Sequence, residues 1–182
     1  MDFKIRKKRT KEEYSEYLSS SNYVKKLIKN PKKRIPSFNR KLSEYIILSV
    51  ILLVVTLIEE FFIKHDRNNY MIIVPLVIVL ISLIIIKIMT YMETKTFSEL
   101  DDYIDCSVND KKIVFRYKKD SIESKWDNIK YIIINKYTIC FIPNVLPGNF
   151  VSIPIEYKNK IIKVLKTYNK EELLIDNSKL YE

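Results

Sequence analysis

Apolar positions fall into three regimes along the chain. Between residues 42 and 92 they are nearly continuous: residues 45–58 run 14 positions without a charge and residues 70–86 run 17. A bilayer core of about 30 Å takes about 20 helical residues. The second run reaches that length if Lys87 carries its ammonium back to the interface. The first reaches it if residues 42–63 are taken whole, with Glu44 near one head-group layer and Glu59 and Glu60 near the other. A central charge costs about 3 kcal/mol and a terminal one much less. Spans of about residues 43–63 and 70–90 are predicted. The linker, residues 64–69, is short enough to make them an antiparallel hairpin within a unit of residues 42–92. Two buried core helices are the alternative, but a soluble fold would have to cover two helices that are apolar all round.

Beyond residue 97 the period changes to two. Ile104, Cys106 and Val108 alternate with Tyr103, Asp105 and Ser107; Ile113, Phe115 and Tyr117 form the next set, and Ile122, Ser124 and Trp126 the third. Asn109-Asp110, Lys118-Lys119-Asp120 and Asp127-Asn128 supply turns. Residues 129–134 and 137–142 are more continuously apolar, and residues 150–153 form a last short strand after a loop at 143–149. Such closely spaced strands predict an antiparallel meander over residues 97–182. Pro154 suits the first turn of a helix. Ile155, Ile161, Ile162, Leu165 and Tyr168 mark its apolar face, with Lys158, Lys160, Lys163 and Lys166 largely outside it. This helix is expected to cap the open side of the sheet.

The amino-terminal arm, residues 1–41, is mixed. Phe3 and Ile5 alternate with Lys4 and Arg6, a short strand signal. Thr10 with Glu13 fits a capping box. Tyr14, Tyr17, Leu18, Val24, Leu27 and Ile28 then recur at helical spacing, weakened in the middle by Ser19-Ser20-Ser21, and Asn30-Pro31 ends the helix.

Charge sharpens this division. Residues 1–41 hold 14 of the 32 Lys and Arg and 4 of the 22 Asp and Glu, so the whole net charge of +10 lies ahead of the first apolar run. Lys25, Lys26, Lys29, Lys32, Lys33, Arg34, Arg40 and Lys41 precede the first span closely; the linker has only Lys64 and Arg67. The positive-inside bias puts both termini in the cytoplasm and the linker outside, in a multi-pass protein of the plasma membrane. The late, long apolar run without a small-residue cleavage site does not fit a cleavable signal peptide. Two uses of the basic arm stay open: Lys25, Lys26, Lys29, Lys32, Lys33 and Arg34 hold anionic lipid head groups, or they only set topology while the stripe packs on the carboxy-terminal domain. Nucleic-acid binding is not expected, because the cluster abuts a span and the rest of the chain carries no net charge.

Composition removes several chemistries. The chain has one Gly, one His and two Cys. Gly148 alone cannot build a phosphate loop. His65 with Cys106 and Cys140 cannot complete a four-ligand N/S zinc site, and no His-based triad can form inside. No metal or cofactor is expected, and no enzyme. The two cysteines sit in apolar strands on the reducing side of the membrane and are expected to pack as core. His65 is a solvated linker residue or an external proton sensor. Glu59 and Glu60 are interfacial charges or intramembrane acids of an oligomeric pore. Trp126 is expected as a core or rim anchor. Val145, Leu146 and Phe150 put apolar groups on a loop bracketed by Pro143, Pro147 and Gly148, a candidate partner-binding or membrane-dipping tip unless it folds back on the core.

Glu13-Tyr14-Ser15-Glu16-Tyr17 in the arm, Trp126-Asp127-Asn128-Ile129 between strands, and Ser152-Ile153-Pro154 before the last helix, in this layout, resemble the YcxB-like membrane proteins of bacteria. The resemblance implies an α+β membrane protein: a two-helix transmembrane hairpin plus a small antiparallel, pleckstrin-homology-like (PH-like) β domain. That domain is a strongly bent seven-stranded sheet closed by the carboxy-terminal helix. Six strands are counted here, and residues 3–6 are placed to add a seventh at an edge. The family often has a basic residue after the Pro before the last helix; here Ile155 and Glu156 follow Pro154. The expected function is non-enzymatic display of the cytoplasmic module to a protein or lipid partner, with a homo-oligomer possible. The alternatives are an immunity protein against a membrane-active peptide, in which the hairpin does the work, and a small oligomeric transporter.

Overall fold

The computed structural model describes residues 1–62, 70–99, 102–116 and 120–181. The chain orders as β1 (Asp2–Arg6), α1 (Lys11–Lys29), α2 (Phe38–Phe62), α3 (Tyr70–Glu99), β2 (Tyr103–Val108), β3 (Lys112–Arg116), β4 (Ser121–Lys125), β5 (Ile129–Ile134), β6 (Thr138–Pro143), β7 (Val151–Pro154), α4 (Lys158–Thr167) and β8 (Leu174–Asp176). It is an α+β protein with two compact units: residues 1–35 together with 94–182, and residues 36–93.

The first unit holds two four-stranded sheets, β1-β2-β3-β4 and β7-β6-β5-β8. The predicted amino-terminal strand forms and pairs antiparallel with β2, Ile5 opposite Ile104 and Phe3 opposite Cys106. Alternation puts Ile5, Ile104, Cys106, Ile113 and Phe115 on one face, where they meet Ile132, Ile134, Ile139, Phe141 and Ile153 of the second sheet. Phe115 and Phe141 meet edge to face across the core, centroids 5.5 Å apart. Ile161, Val164 and Leu165 of α4 complete this core. Asn169, at φ 54°, ends α4 in the left-handed region, and Lys170 N–H donates to Leu165 O at 2.8 Å.

The second sheet is buried on both faces. Its other face carries Ile133, Cys140 and Ile142, and α1 lies on it through Val24 and Leu27, joined by Ile35. Every residue of β6 is therefore buried, which explains why this strand reads as a continuous apolar run. The helix starts with the predicted capping box: Glu13 N–H donates to Thr10 Oγ1 at 3.2 Å, and Thr10 N–H donates to Glu13 Oε2 at 2.8 Å.

Three details differ from the sequence expectation. Pro154 ends β7 in extended backbone instead of opening a helix; a 3-10 turn, Ile155–Tyr157, intervenes and α4 begins at Lys158. Trp126 lies past β4 in a 3-10 turn, buried, with Nε1 donating to Asn109 O at 2.9 Å. The eighth strand, β8, was not expected; it pairs parallel with β5, so the sheets are not a pure meander. Three residues are too short a run for periodicity to detect. The predicted Tyr117 position and the turn at 118–119 lie outside the described residues.

The second unit is α2 with α3 as far as Glu93. Both are long and apolar enough to cross a membrane, over Phe38–Glu59 and Ile73–Thr96, and almost none of either window is buried. At 1.5 Å per residue α3 is about 45 Å long, more than a bilayer core requires. Lys87 Nζ, in the second half of α3, donates to Ser43 Oγ at 3.5 Å near the start of α2, as an antiparallel pair requires. Thr56, Ser82 and Thr90 donate their hydroxyls to the carbonyls four residues back, so these polar groups need no water.

Candidate interaction surface

α1 has a docked face and an open one. Val24 and Leu27 are buried on the sheet, while Lys25, Lys26 and Lys29 on the other side are exposed. Lys32, Lys33 and Arg34 follow, also exposed. The apolar stripe thus packs on the β domain, as one of the two uses of the arm requires. Among the described residues none of the six cations makes an ion pair; Lys26 Nζ stands 4.6 Å from the Tyr23 ring centroid.

The loop after β6 splits the three residues expected to act together. Val145 is 72% exposed and Leu146 49%. Phe150 instead turns inward and stacks on Tyr17 of α1, centroids 5.9 Å apart. The loop is pinned at both ends. Asn144 N–H donates to Asn128 O at 2.9 Å and its side chain to Asp127 O, while Asn149 Nδ2 donates to Glu123 O of β4 at 2.9 Å. A Cβ at Gly148 would run into the Val145 carbonyl and, at 2.6 Å, the Pro143 ring, which accounts for the position of the one glycine in the chain.

A third feature carried no clear sequence signal. The amino-terminal half of α1 meets the second sheet through polar groups. Glu16 Oε2 accepts from Tyr137 N–H at 2.9 Å and Thr138 Oγ1 at 2.8 Å. Burial lifts the Glu16 carboxyl above its ordinary value, against the pull of these hydrogen bonds. Around Cys140 Sγ stand Asn135 Nδ2 at 3.5 Å and Thr138 Oγ1 at 3.6 Å, with the Ser20 and Ser152 hydroxyls nearby. Burial pushes the Cys140 thiol up, and that of Cys106 up to about 12. Neither is a thiolate nucleophile near neutral pH; both are core residues. Ser19-Ser20-Ser21, which interrupts the apolar stripe, was the visible trace of this seam.

Glu59 is exposed in the last described turns of α2. The side chain of Glu60, and His65 with the whole linker, lie outside the described residues. The α2 cations differ from those of the arm: Arg40 pairs with Glu44 at 3.0 Å.

Fold and surface together define an α+β protein in which a β unit made from both chain ends is interrupted by two bare apolar helices. No known protein family, curated protein or solved structure matches the chain at a significant level.

Proposed function

We propose that this is a non-enzymatic bacterial plasma-membrane protein of the YcxB-like kind. Its hairpin α2–α3 spans the bilayer with both chain ends in the cytoplasm, and its PH-like module presents a surface to a partner. The observation that carries the reading is the composition of the first unit: residues 1–35 and 94–182 fold together, β1 paired with β2 and α1 seated beside β6. Helices inserted between two parts of one folded unit return the chain to the side it left, so an even number of crossings is required. That argument is independent of the positive-inside bias and agrees with it.

The PH-like assignment is supported by strand order and closure. Four antiparallel strands face three more, β5 to β7, with α4 packed into the core between them. Arg6 N–H donates to Tyr157 Oη at 2.8 Å where β1 approaches the end of β7. The pinned loop with Val145 and Leu146 is the best-formed apolar projection of the module and the candidate partner contact. A photocrosslinker at Val145 in the full-length protein, in native membranes, is expected to give a discrete adduct that Leu146→Asp removes, while one at Lys163 on α4 gives none. Recovery of the protein without detergent, or equal adducts from both positions, contradicts the proposal.

A further inference from the structure

Residues 17–41 contain eight Lys and Arg and no Asp or Glu. Of the acids that precede them in α1, Glu13 pairs with Arg6 at 2.6 Å and Glu16 accepts from Tyr137 and Thr138, while Glu12 lies in the first turn, 13 residues before Lys25. The helix therefore offers its carboxy-terminal cations no acidic partner, and Lys26 meets only the Tyr23 ring. Because the apolar face is committed to the sheet, Lys25, Lys26 and Lys29 are displayed outward together, and Lys32, Lys33 and Arg34 continue the exposed stretch. Only residues 35–37 separate Arg34 from the start of α2 at Phe38, at most about 14 Å of extended chain. If α2 spans the bilayer, as the proposed function requires, Lys32, Lys33 and Arg34 are held at its surface by connectivity alone.

The geometry points to a lipid-docking surface: the outward face of α1 and the stretch through Arg34 bind the phosphates of anionic head groups in the bilayer that α2 enters. Docking this face restricts how the module is oriented on the bilayer. The attraction is Coulombic and phosphate-directed, so it depends on lipid charge and is screened by salt. The occupant is lipid and not a small soluble anion, because the bilayer that α2 enters presents many phosphates at once to six cations spread along little more than one turn of helix and the segment after it.

The test uses the full-length protein in nanodiscs of phosphatidylcholine alone or mixed with phosphatidylglycerol. A fluorophore is attached at Asn30→Cys, an exposed position inside the basic stretch, and a trace lipid carries a nitroxide on its head group. Quenching is expected to be several-fold stronger in the anionic discs and to fall as sodium chloride is raised. It is expected to drop to the neutral-disc level in Lys25→Glu/Lys26→Glu/Lys29→Glu, whose three positions are solvent-facing. Inorganic phosphate at matched ionic strength is expected to change nothing; loss of quenching there assigns the site to free anions and overturns the lipid assignment. Equal quenching in both kinds of disc, or no response to salt or to the triple variant, also overturns it. If the chain fails to enter discs at all, the spanning hairpin is wrong; normal incorporation with no lipid-charge dependence defeats only the docking surface.

Discussion

Glu16 exchanges water for two hydrogen bonds from the start of β6 and the turn before it. Its carboxyl is lifted above the ordinary 4.5 by burial, so the folded state holds that proton more tightly than the unfolded chain does. The sign follows from linkage. Stability from this group is fully present below the unfolded value and is lost as pH rises through the folded one. Glu16→Gln keeps an acceptor and removes the titration. The variant should therefore gain on the wild type in thermal midpoint as pH is raised from below 4.5 to neutral. A constant difference across that range would mean the carboxyl is not held in the seam. Asn135 Oδ1 has no hydrogen-bond partner there among the described residues, and the Ser20 and Ser152 hydroxyls have only the Cys140 sulfur, a weak acceptor. This half of the seam adds specificity of seating more than strength.

The strength of α1 lies at its apolar end and at its cap. Leu27 is 1% exposed within the cluster of Val24, Ile35, Ile133 and Ile142. Leu27→Ala should cost about 2–5 kcal/mol through the lost contacts and the cavity left behind. Thr10→Ala, which removes the hydroxyl half of the capping box and leaves the Thr10 backbone N–H to Glu13, should cost about 1 kcal/mol. Hydrogen exchange in α1 reports both: Leu27→Ala should free the whole helix, Thr10→Ala mainly its first turn. Equal protection in Leu27→Ala and wild type would contradict the docked arm. These elements also mark how far the sequence could be read. The strand at residues 3–6, the capping box and the stop at Asn30-Pro31 are local signals, and each formed where predicted. The eighth strand, the two-faced burial of β6 and the polar seam at Cys140 depend on which distant segments meet. Alternation along one strand cannot report what lies on its second face. Pro154 shows the same limit: its φ suits a helix start or an extended strand end, and pairing with Thr138 decided for the strand.

At the scale of the whole molecule, one chain connection dominates. A β unit assembled from residues 1–35 and 94–182 brackets two helices whose apolar surface is almost entirely uncovered. Deleting the carboxy-terminal segment would therefore also strip α1 of its sheet, so point variants dissect module and hairpin more cleanly than truncation does. The native thiols are silent reporters of sidedness, since Cys106 and Cys140 are both buried.

The direct test is single-thiol labelling of cells with a membrane-impermeant maleimide, using Asn30→Cys and Val145→Cys at exposed positions of the folded unit and His65→Cys in the linker between the helices. Two crossings with an interior module predict that His65→Cys reacts on intact cells, whereas Asn30→Cys and Val145→Cys react only after permeabilisation. Labelling of Asn30→Cys and Val145→Cys from opposite sides of the membrane would contradict it.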